Sequence, residues 1–275
     1  MSEQLYKFAF SFIKQETKAA ARLLEELPPE DVAEFLTNAP QPLIAGILKE
    51  MLPAVCAGVL MQAELSHVII WLSELPNNYI CTILRHLHRY KQQELLNQLP
   101  IKRRTACQLM LSYNSDMLGA WVETDVPAFP GDMSVREAIK RLKRRGYRED
   151  RILYVVDAAR RPVGTLSMSV LLRSTTALPL DSIARANTDA ISGAVTLTTA
   201  IGHPLWQSQD VVAVVNRRRE FIGVIWYSQI RQLLSRNAEL ADSNKETVPD
   251  STSDMLEAYT GSMRGLFEVV RKVIG

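Results

Sequence analysis

A chain of 275 residues, 47% of them hydrophobic, is long enough to form about two globular domains. Its formal net charge of +2 is too small to indicate nucleic-acid binding by itself, and no apolar run reaches the ~18 residues needed to span a bilayer. Residues 1–22 carry charges throughout, which is typical of an amphipathic helix and not of a signal peptide. We therefore expect a cytoplasmic protein with no transmembrane segment and no nucleic-acid partner.

The cysteines indicate a reducing environment. Cys56, Cys81 and Cys107 are odd in number, lie far apart and fall within helical patterns. No pair of them has the spacing of zinc ligands. The sequence therefore predicts three buried, reduced thiols.

The first half of the chain has the repeating pattern of short helices. Leu-Pro recurs at 27–28, 52–53, 75–76 and 99–100, with further breaks near Pro40, Glu64 and His88. Proline is favoured where a helix begins because its missing N–H has no partner there, so each period predicts two helices of about ten residues. Helices this short are marginal alone and must stack to bury their apolar stripes. Residues 23–121 are therefore expected to form an α-superhelix of the right-handed type.

The second half contains an internal repeat of an α/β unit. The segment 155–164, Val-Val-Asp-Ala-Ala-Arg-Arg-Pro-Val-Gly, aligns without a gap to 214–223, Val-Val-Asn-Arg-Arg-Arg-Glu-Phe-Ile-Gly. Each copy has an apolar strand, a polar turn and a second strand that ends at glycine, which predicts a β-hairpin. A helix is predicted after each hairpin, over 168–173 and 227–236.

A helix is also predicted before each hairpin. Ser134 and Glu137 form a capping box at the start of the helix in the first copy. The matching segment of the second copy, near 198–207, contains Gly202 and Pro204, so that helix is expected to be short or distorted.

This order of features resembles a known family. The tandem β-α-β-β-α units resemble a CBS-domain pair over residues 122–236, with copies at 122–177 and 178–236. The helical array, the junction motif Tyr113-x-x-Asp116-x-x-Gly119 and the two units together resemble the cytosolic part of the MgtE magnesium channel family. The pore domain of that family has no counterpart in this sequence. The resemblance implies an α plus α/β fold, in which an α-superhelix of short helices precedes tandem CBS units.

The resemblance also implies where metal ligands would lie in this sequence. In the family, acidic residues of the two cytosolic domains face each other and sense Mg²⁺, and hard cations need such clustered carboxylates. The matching run 223–232 has no carboxylate here, and the matching run 90–94 retains only one. The remaining Mg²⁺ candidates are Glu94, Asp116, Glu30, Asp31 and Glu34. The alternative for all five is a carboxylate that is solvated or lies favourably at a helix start.

CBS pairs often bind adenine nucleotides, and an Asp after the second hairpin strand holds the ribose. Ser167 retains the hydroxyl of that motif and is the nucleotide-binding candidate. The Asp position is Val170 in the first copy and Gln229 in the second, and Trp226 replaces the second hydroxyl. Valine and glutamine do not replace a carboxylate that accepts both ribose hydroxyls. The sequence therefore does not favour AMP or ATP as a cofactor.

Positive charge is concentrated in residues 136–151 and in both hairpin turns. The candidates for contact with an anion or a partner are Arg144, Arg145, Arg148, Arg217, Arg218 and Arg219. They form either a solvated surface or a contact for a phosphate group, an acidic protein or lipid headgroups.

The C-terminal part is expected to differ from the family. Residues 237–252 are polar and predict a flexible linker. Residues 253–275 predict an amphipathic helix with one apolar stripe. That helix is expected to pack on its own domains, to form a dimer, or to lie on a partner or membrane surface.

No catalytic constellation is visible in the sequence, so we do not expect an enzyme. The resemblance implies a regulatory protein linked to magnesium transport or homeostasis, with Mg²⁺ as its cofactor candidate. A homodimer through the CBS pair and a membrane transporter or other protein are the expected partners. The alternative is a stand-alone interaction or scaffold module in which neither metal nor nucleotide matters.

Overall fold

A computed structural model of the chain describes residue 10 and residues 13–145, 152–186 and 189–243. The chain forms two compact units, which divide between Cys107 and Gln108. The first is a helical unit and the second is an α/β unit. In the described part of the chain, no helix is both long and apolar enough to cross a membrane.

Eight short helices lead up to the junction in the described residues. Their bounds are α1 Thr17–Glu25, α2 Pro29–Asn38, α3 Gln41–Glu50, α4 Pro53–Gln62, α5 Leu65–Ser73, α6 Asn77–Leu84, α7 Arg89–Gln98 and α8 Ile101–Leu111. Six of these helices start directly after an extended residue, and those residues are Pro28, Pro40, Leu52, Glu64, Pro76 and His88. The predicted period of Leu-Pro marks and midway breaks is confirmed, because proline fixes φ at the residue that must leave the helical path.

The helical unit is held together by helices that are two apart in sequence. Helix α1 packs against α3, α2 against α4, α3 against α5, and α4 against α6. This pattern is the stacking expected of helices that cannot bury an apolar face alone. The largest fully buried side chains of the array are Leu24, Leu36, Ile47, Leu48, Met51, Leu60, Leu72, Leu75, Ile80, Leu84 and Leu95.

The three cysteines are buried and reduced, as predicted. The Cys56 thiol donates to the Leu48 carbonyl at 3.6 Å, and the Cys81 thiol donates to the Cys107 carbonyl at 3.7 Å. Burial raises the pKa of the Cys56 thiol to about 12. A thiol that stays protonated is a poor nucleophile and a poor metal ligand, so this cysteine has a structural role.

The α/β unit contains the two predicted copies. Copy one has β1 Ala128–Pro130, α9 Val135–Arg145, β2 Ile152–Val156, β3 Pro162–Ser167 and α10 Met168–Arg173. A short strand, β4 Arg185–Ala186, leads to copy two. Copy two has β5 Ala190–Ser192, α11 Leu197–Ala200, β6 Val211–Val215, β7 Phe221–Trp226 and α12 Tyr227–Ser243.

Each copy builds its own sheet. The first sheet has the strand order β1-β2-β3-β4 and the second has the order β5-β6-β7. In both, the first strand is parallel to the second, and the second and third form the predicted antiparallel hairpin. The repeat extends to detail, because both hairpins carry an irregularity at the same register position and a turn arginine with positive φ, Arg160 at 59° and Arg219 at 64°.

The two copies exchange the segments that precede them. Ahead of copy one, Leu118 and Gly119 donate backbone N–H groups to Val195 and Gly193 of copy two, each at 2.9 Å. Ahead of copy two, Leu180 and Asp181 donate to Met133 and Gly131 of copy one, at 2.9 and 3.0 Å. The strand pairing shows the same exchange. Strand β4, which leads into copy two, pairs with β3 of copy one, and the backbone of Glu123, which leads into copy one, pairs with Val224 in β7 of copy two. Each copy is therefore completed by the segment that leads into the other.

The sequence made specific predictions for the two helices of copy two, α11 and α12. The poor helix of copy two is confirmed, because α11 ends at Ala200 and a 3₁₀ turn, Pro204–Gln207, comes after the interruption at Gly202. The prediction that a flexible linker begins at residue 237 is wrong, since α12 continues to Ser243. Residues 238–241 read Ala-Glu-Leu-Ala, which are strong helix formers and extend the helix past the predicted end. The rest of the predicted linker and the C-terminal helix over 253–275 lie outside the described residues, as do residues 1–9, 11 and 12 of the predicted N-terminal helix.

Candidate functional site

A cavity of about 800 Å³ in the α/β unit lies where the two sheets face each other. Strands β2 and β3 of copy one and β6 and β7 of copy two contribute to its wall. The polar members of its lining are Glu123, Tyr154, Thr165, Arg185, Asp189, Ser208, Gln209 and Asp210. A concave site of this size with a few convergent polar groups is the usual form of a small-ligand site.

Two aromatic side chains, Tyr154 and Trp226, line this cavity. Tyr154 is 5% exposed and stacks on Phe221 with the ring centroids 4.9 Å apart. Burial raises the pKa of the Tyr154 hydroxyl to about 12, so this group remains a neutral hydrogen-bond donor at physiological pH. Trp226 is 39% exposed, and its indole Nε1 donates to Glu123 Oε2 at 3.2 Å.

The predicted nucleotide-binding residue is not part of this cavity. Ser167 caps helix α10, where its Oγ accepts from the Val170 N–H at 3.3 Å. Val170 is 43% exposed and offers no acceptor. In copy two, the amide Nε2 of Gln229 donates to the Trp121 carbonyl at 2.9 Å. The position at which the family places a ribose-binding Asp is thus occupied by a structural contact in copy two.

The five magnesium candidates lie on helices α2 and α7 and in the junction stretch. Glu30 and Asp31 lie in the first turn of α2, where negative charge stabilises the helix dipole. Glu34 is exposed on the same helix, and Glu94 Oε2 forms an ion pair with Lys91 Nζ at 3.1 Å. Asp116 is exposed and uses its backbone carbonyl to accept from Leu197 at 2.7 Å. Over the described ranges, no group of three His, Cys, Asp or Glu side chains is close enough to hold a metal ion.

The predicted basic residues divide into two groups. Arg217 and Arg218 line a second cleft of about 490 Å³ beside the junction, and Arg219 takes the positive-φ position of the same turn. Arg144 is exposed on α9, and Arg145 is the last residue of that helix. Arg148 lies outside the described residues.

The sequence analysis missed the residues that line the main cavity. Arg185, Asp189 and Asp210 sit in connections and at strand starts, and no motif marks them. The one usable signal was the repeat itself, because a tandem pair of α/β units predicts a cleft where the two sheets meet.

These features define a helical superhelix followed by a pair of CBS-type α/β units. The match to family models agrees: residues 15–116 match the MgtE intracellular N domain, and residues 118–175 match the CBS domain. The chain thus carries an MgtE intracellular N domain joined to CBS units. No curated protein sequence matches it.

The fold is shared with the soluble part of a magnesium transporter. That crystal structure is 15% identical, covers 86% of this chain and 100% of its own, and superposes with a TM-score of 0.57. The cytosolic domain of the Mg²⁺ channel MgtE in complex with ATP is 18% identical over 85% of this chain and 100% of its own, with a TM-score of 0.48.

Proposed function

We propose that this chain is a regulatory protein of magnesium transport that acts in the cytoplasm by binding and conformational coupling, not by catalysis. The observation that carries the proposal is the direct succession of an MgtE intracellular N domain, residues 15–116, and a CBS-type pair. In such a protein the pore would belong to a membrane transporter that the chain contacts. A homodimer through the CBS units is part of the same proposal.

The carboxylates restrict how Mg²⁺ could act on this chain. Mg²⁺ requires about six oxygen ligands and retains several waters, so one or two carboxylates give only weak binding. Because the described residues contain no preformed acidic cluster, any response would occur at millimolar concentration and depend on Glu94 and Asp116.

Thermal unfolding with and without millimolar Mg²⁺, at constant ionic strength, tests this proposal. A ligand that binds only the folded state at ten times its Kd stabilises it by about 1.4 kcal/mol. We expect a Mg²⁺-dependent rise in the unfolding midpoint that is reduced in Glu94→Ala and in Asp116→Ala. Glu74→Ala is the matched control, because Glu74 is an exposed carboxylate of the helical unit that is not a candidate ligand.

The alternative is a scaffold that binds only proteins, and the contact between Gln229 and Trp121 favours it. In that contact, Gln229, at the position where the family places a ribose-binding Asp, donates a hydrogen bond to the backbone of the same chain. A scaffold would show no midpoint shift with Mg²⁺, ATP or AMP, and would still capture a partner protein in a pull-down. Capture of a membrane transporter together with a Mg²⁺ shift would support regulation instead.

A further inference from the structure

A second cleft of about 490 Å³ lies at the junction, within the α/β unit. We call it the arginine cleft, and its lining residues are Ser112, Tyr113, Asn114, Met117, Ala194, Asn216, Arg217, Arg218 and Glu220. One wall is the junction stretch and the other is the hairpin turn of copy two. The two arginines outnumber the single carboxylate in this lining, so the cleft has a net positive charge.

The hairpin turn presents its arginines on a fixed backbone. Asn216 Oδ1 accepts from the backbone N–H groups of Arg218 and Glu220, at 2.9 and 3.0 Å. Its Nδ2 donates to Glu220 Oε2 at 2.6 Å, which holds the one carboxylate of the cleft in a hydrogen bond. Both guanidinium groups are exposed, and neither forms an ion pair with another described residue. The backbone is thus ordered while the charged ends remain available.

Copy one shows which residues this turn requires structurally. Its hairpin turn shares two hydrogen bonds with that of copy two: the Asp157 carbonyl accepts from the Arg160 N–H at 2.9 Å, and Asp157 Oδ1 accepts from the Arg161 N–H at 2.8 Å. The positions that match Arg217 and Arg218 are Ala158 and Ala159. The turn therefore forms with alanine at both positions, and the arginines of copy two are not needed for the hairpin.

The opposite wall is also rigid. The ring of Tyr113 packs directly against Gly119 and Gly193, where an added Cβ would lie 2.5 and 3.2 Å from ring atoms. The Arg217 charge acts on the Tyr113 hydroxyl and opposes the rise in its pKa that burial causes. Arg217 and Tyr113 both line the cleft, on opposite walls.

We propose that the arginine cleft binds a phosphate monoester, with Arg217 and Arg218 on the phosphate and the organic part against the junction wall. Planar guanidinium groups donate in pairs to phosphate oxygens. A phosphate monoester presents three acceptor oxygens and a charge close to −2, so it suits two adjacent guanidinium groups better than a carboxylate does. The Tyr113 ring, Met117 and Ala194 supply the apolar wall, and the Asn114 amide is a further donor at the rim.

Calorimetric titration of the full chain with phenyl phosphate and with inorganic phosphate tests the proposal at constant, near-physiological ionic strength. We expect both to bind, phenyl phosphate more tightly because of the apolar wall. The double variant Arg217→Ala/Arg218→Ala should weaken binding by about ten- to a hundredfold, since it removes the charged hydrogen-bond donors while solvent screens part of their attraction for the phosphate. Circular dichroism should show an intact fold, because copy one carries the same two alanines.

The matched control is Arg173→Ala/Arg231→Ala, which removes the same charge from exposed positions that do not line the cleft. It should leave the affinity within about twofold, as salt screens distant surface charges. Equal weakening by both double variants would show attraction by net charge alone and would overturn the proposal, as would the absence of phosphate binding.

The phosphate could reach the cleft as a soluble ester or as a lipid headgroup. Sedimentation with phosphatidylcholine vesicles, with and without phosphatidic acid, separates these sources. Soluble phenyl phosphate binding without vesicle binding identifies a soluble ester, and both together identify a headgroup as well. Vesicle binding alone, or binding of a glutamate-rich peptide alone, would refute a phosphate-sized cleft. If the cleft does not bind phosphate, the proposed Mg²⁺ response is not affected, because Glu94 and Asp116 do not line the cleft.

Discussion

The contact between Tyr113 and Gly119 gives the sharpest prediction. An ideal Cβ on Gly119 would lie 2.5 Å from the tyrosine ring, closer than real Cβ contacts come. The backbone of Gly119 is not in a left-handed conformation, so any cost of Gly119→Ala comes from this contact and not from φ. The ring cannot move away freely, because its other edge is against Gly193.

Overpacking of this kind costs about 1–3 kcal/mol of unfolding free energy. For a unit of this size that corresponds to a midpoint lower by roughly 3–9 °C. Urea unfolding at equilibrium measures the free energy directly, and the unchanged slope of the transition would show that the unfolded state is unaffected. Gly46→Ala is the control, because Gly46 lies inside helix α3 and its Cβ would meet only Thr17 Cγ2 at 3.4 Å. It should stabilise the chain by about 0.5–1 kcal/mol.

A double-mutant cycle isolates the ring as the cause. Once Tyr113→Ala has removed the ring, Gly119→Ala should cost close to nothing, and the coupling energy should equal its cost in the wild type. If Gly119→Ala costs less than about 0.5 kcal/mol in the wild type, or costs the same without the ring, the steric argument is wrong.

Three further predictions concern the glycine of β7, a buried thiol and an internal arginine. Gly223→Ala should cost about 3 kcal/mol or more in urea unfolding, because φ is +149° and an added Cβ would lie 2.5 Å from the Glu123 carbonyl; a smaller cost would mean that the edge pairing yields easily. The free energy of unfolding should fall as pH rises from 9 towards 12, by up to about 4 kcal/mol from Cys56 alone, because the folded state holds a proton that the unfolded thiol loses above its ordinary pKa of 9.0. Cys56→Ala should flatten that alkaline slope, and an unchanged slope would assign it to other groups. Arg103→Lys should cost about 1–3 kcal/mol, because the Arg103 guanidinium donates to several carbonyls at the end of α5 and a single ammonium cannot reach them all; a neutral result would mean that water replaces those bonds.

The helical period and the paired hairpins could be predicted because their signals are local. Proline sets φ within one residue, and a hairpin is encoded by two strands and the turn between them. The same reasoning gave a wrong end for α12, because the stretch after residue 236 was interpreted as a linker from its polar composition although it contains good helix formers. A helical domain that ends at residue 121 stays a prediction; the last helix of the array ends at Leu111, and the match to the MgtE intracellular N domain ends at residue 116.

The candidate sites could not be predicted because their parts come from distant segments. Gln229 and Trp121 are 108 residues apart, and Trp226 and Glu123 are 103 residues apart. Spacing along the chain carries no information about such pairs. The sequence shows that positive charge is concentrated in the hairpin turn of copy two, but only the fold shows that the junction stretch lies opposite this turn.

The exchange of leading segments between the two copies sets an order of assembly during synthesis. A chain that emerges from its N-terminus can finish the hairpin of copy one early, and β4 can close that sheet soon afterwards. The stretch around Glu123 must wait for β7, which emerges about a hundred residues later and pays the loop-closure cost of that separation. The pairing of Glu123 with Val224 can therefore form only after β7 has emerged, whereas the hydrogen bonds of Leu118 and Gly119 to Val195 and Gly193 can form earlier.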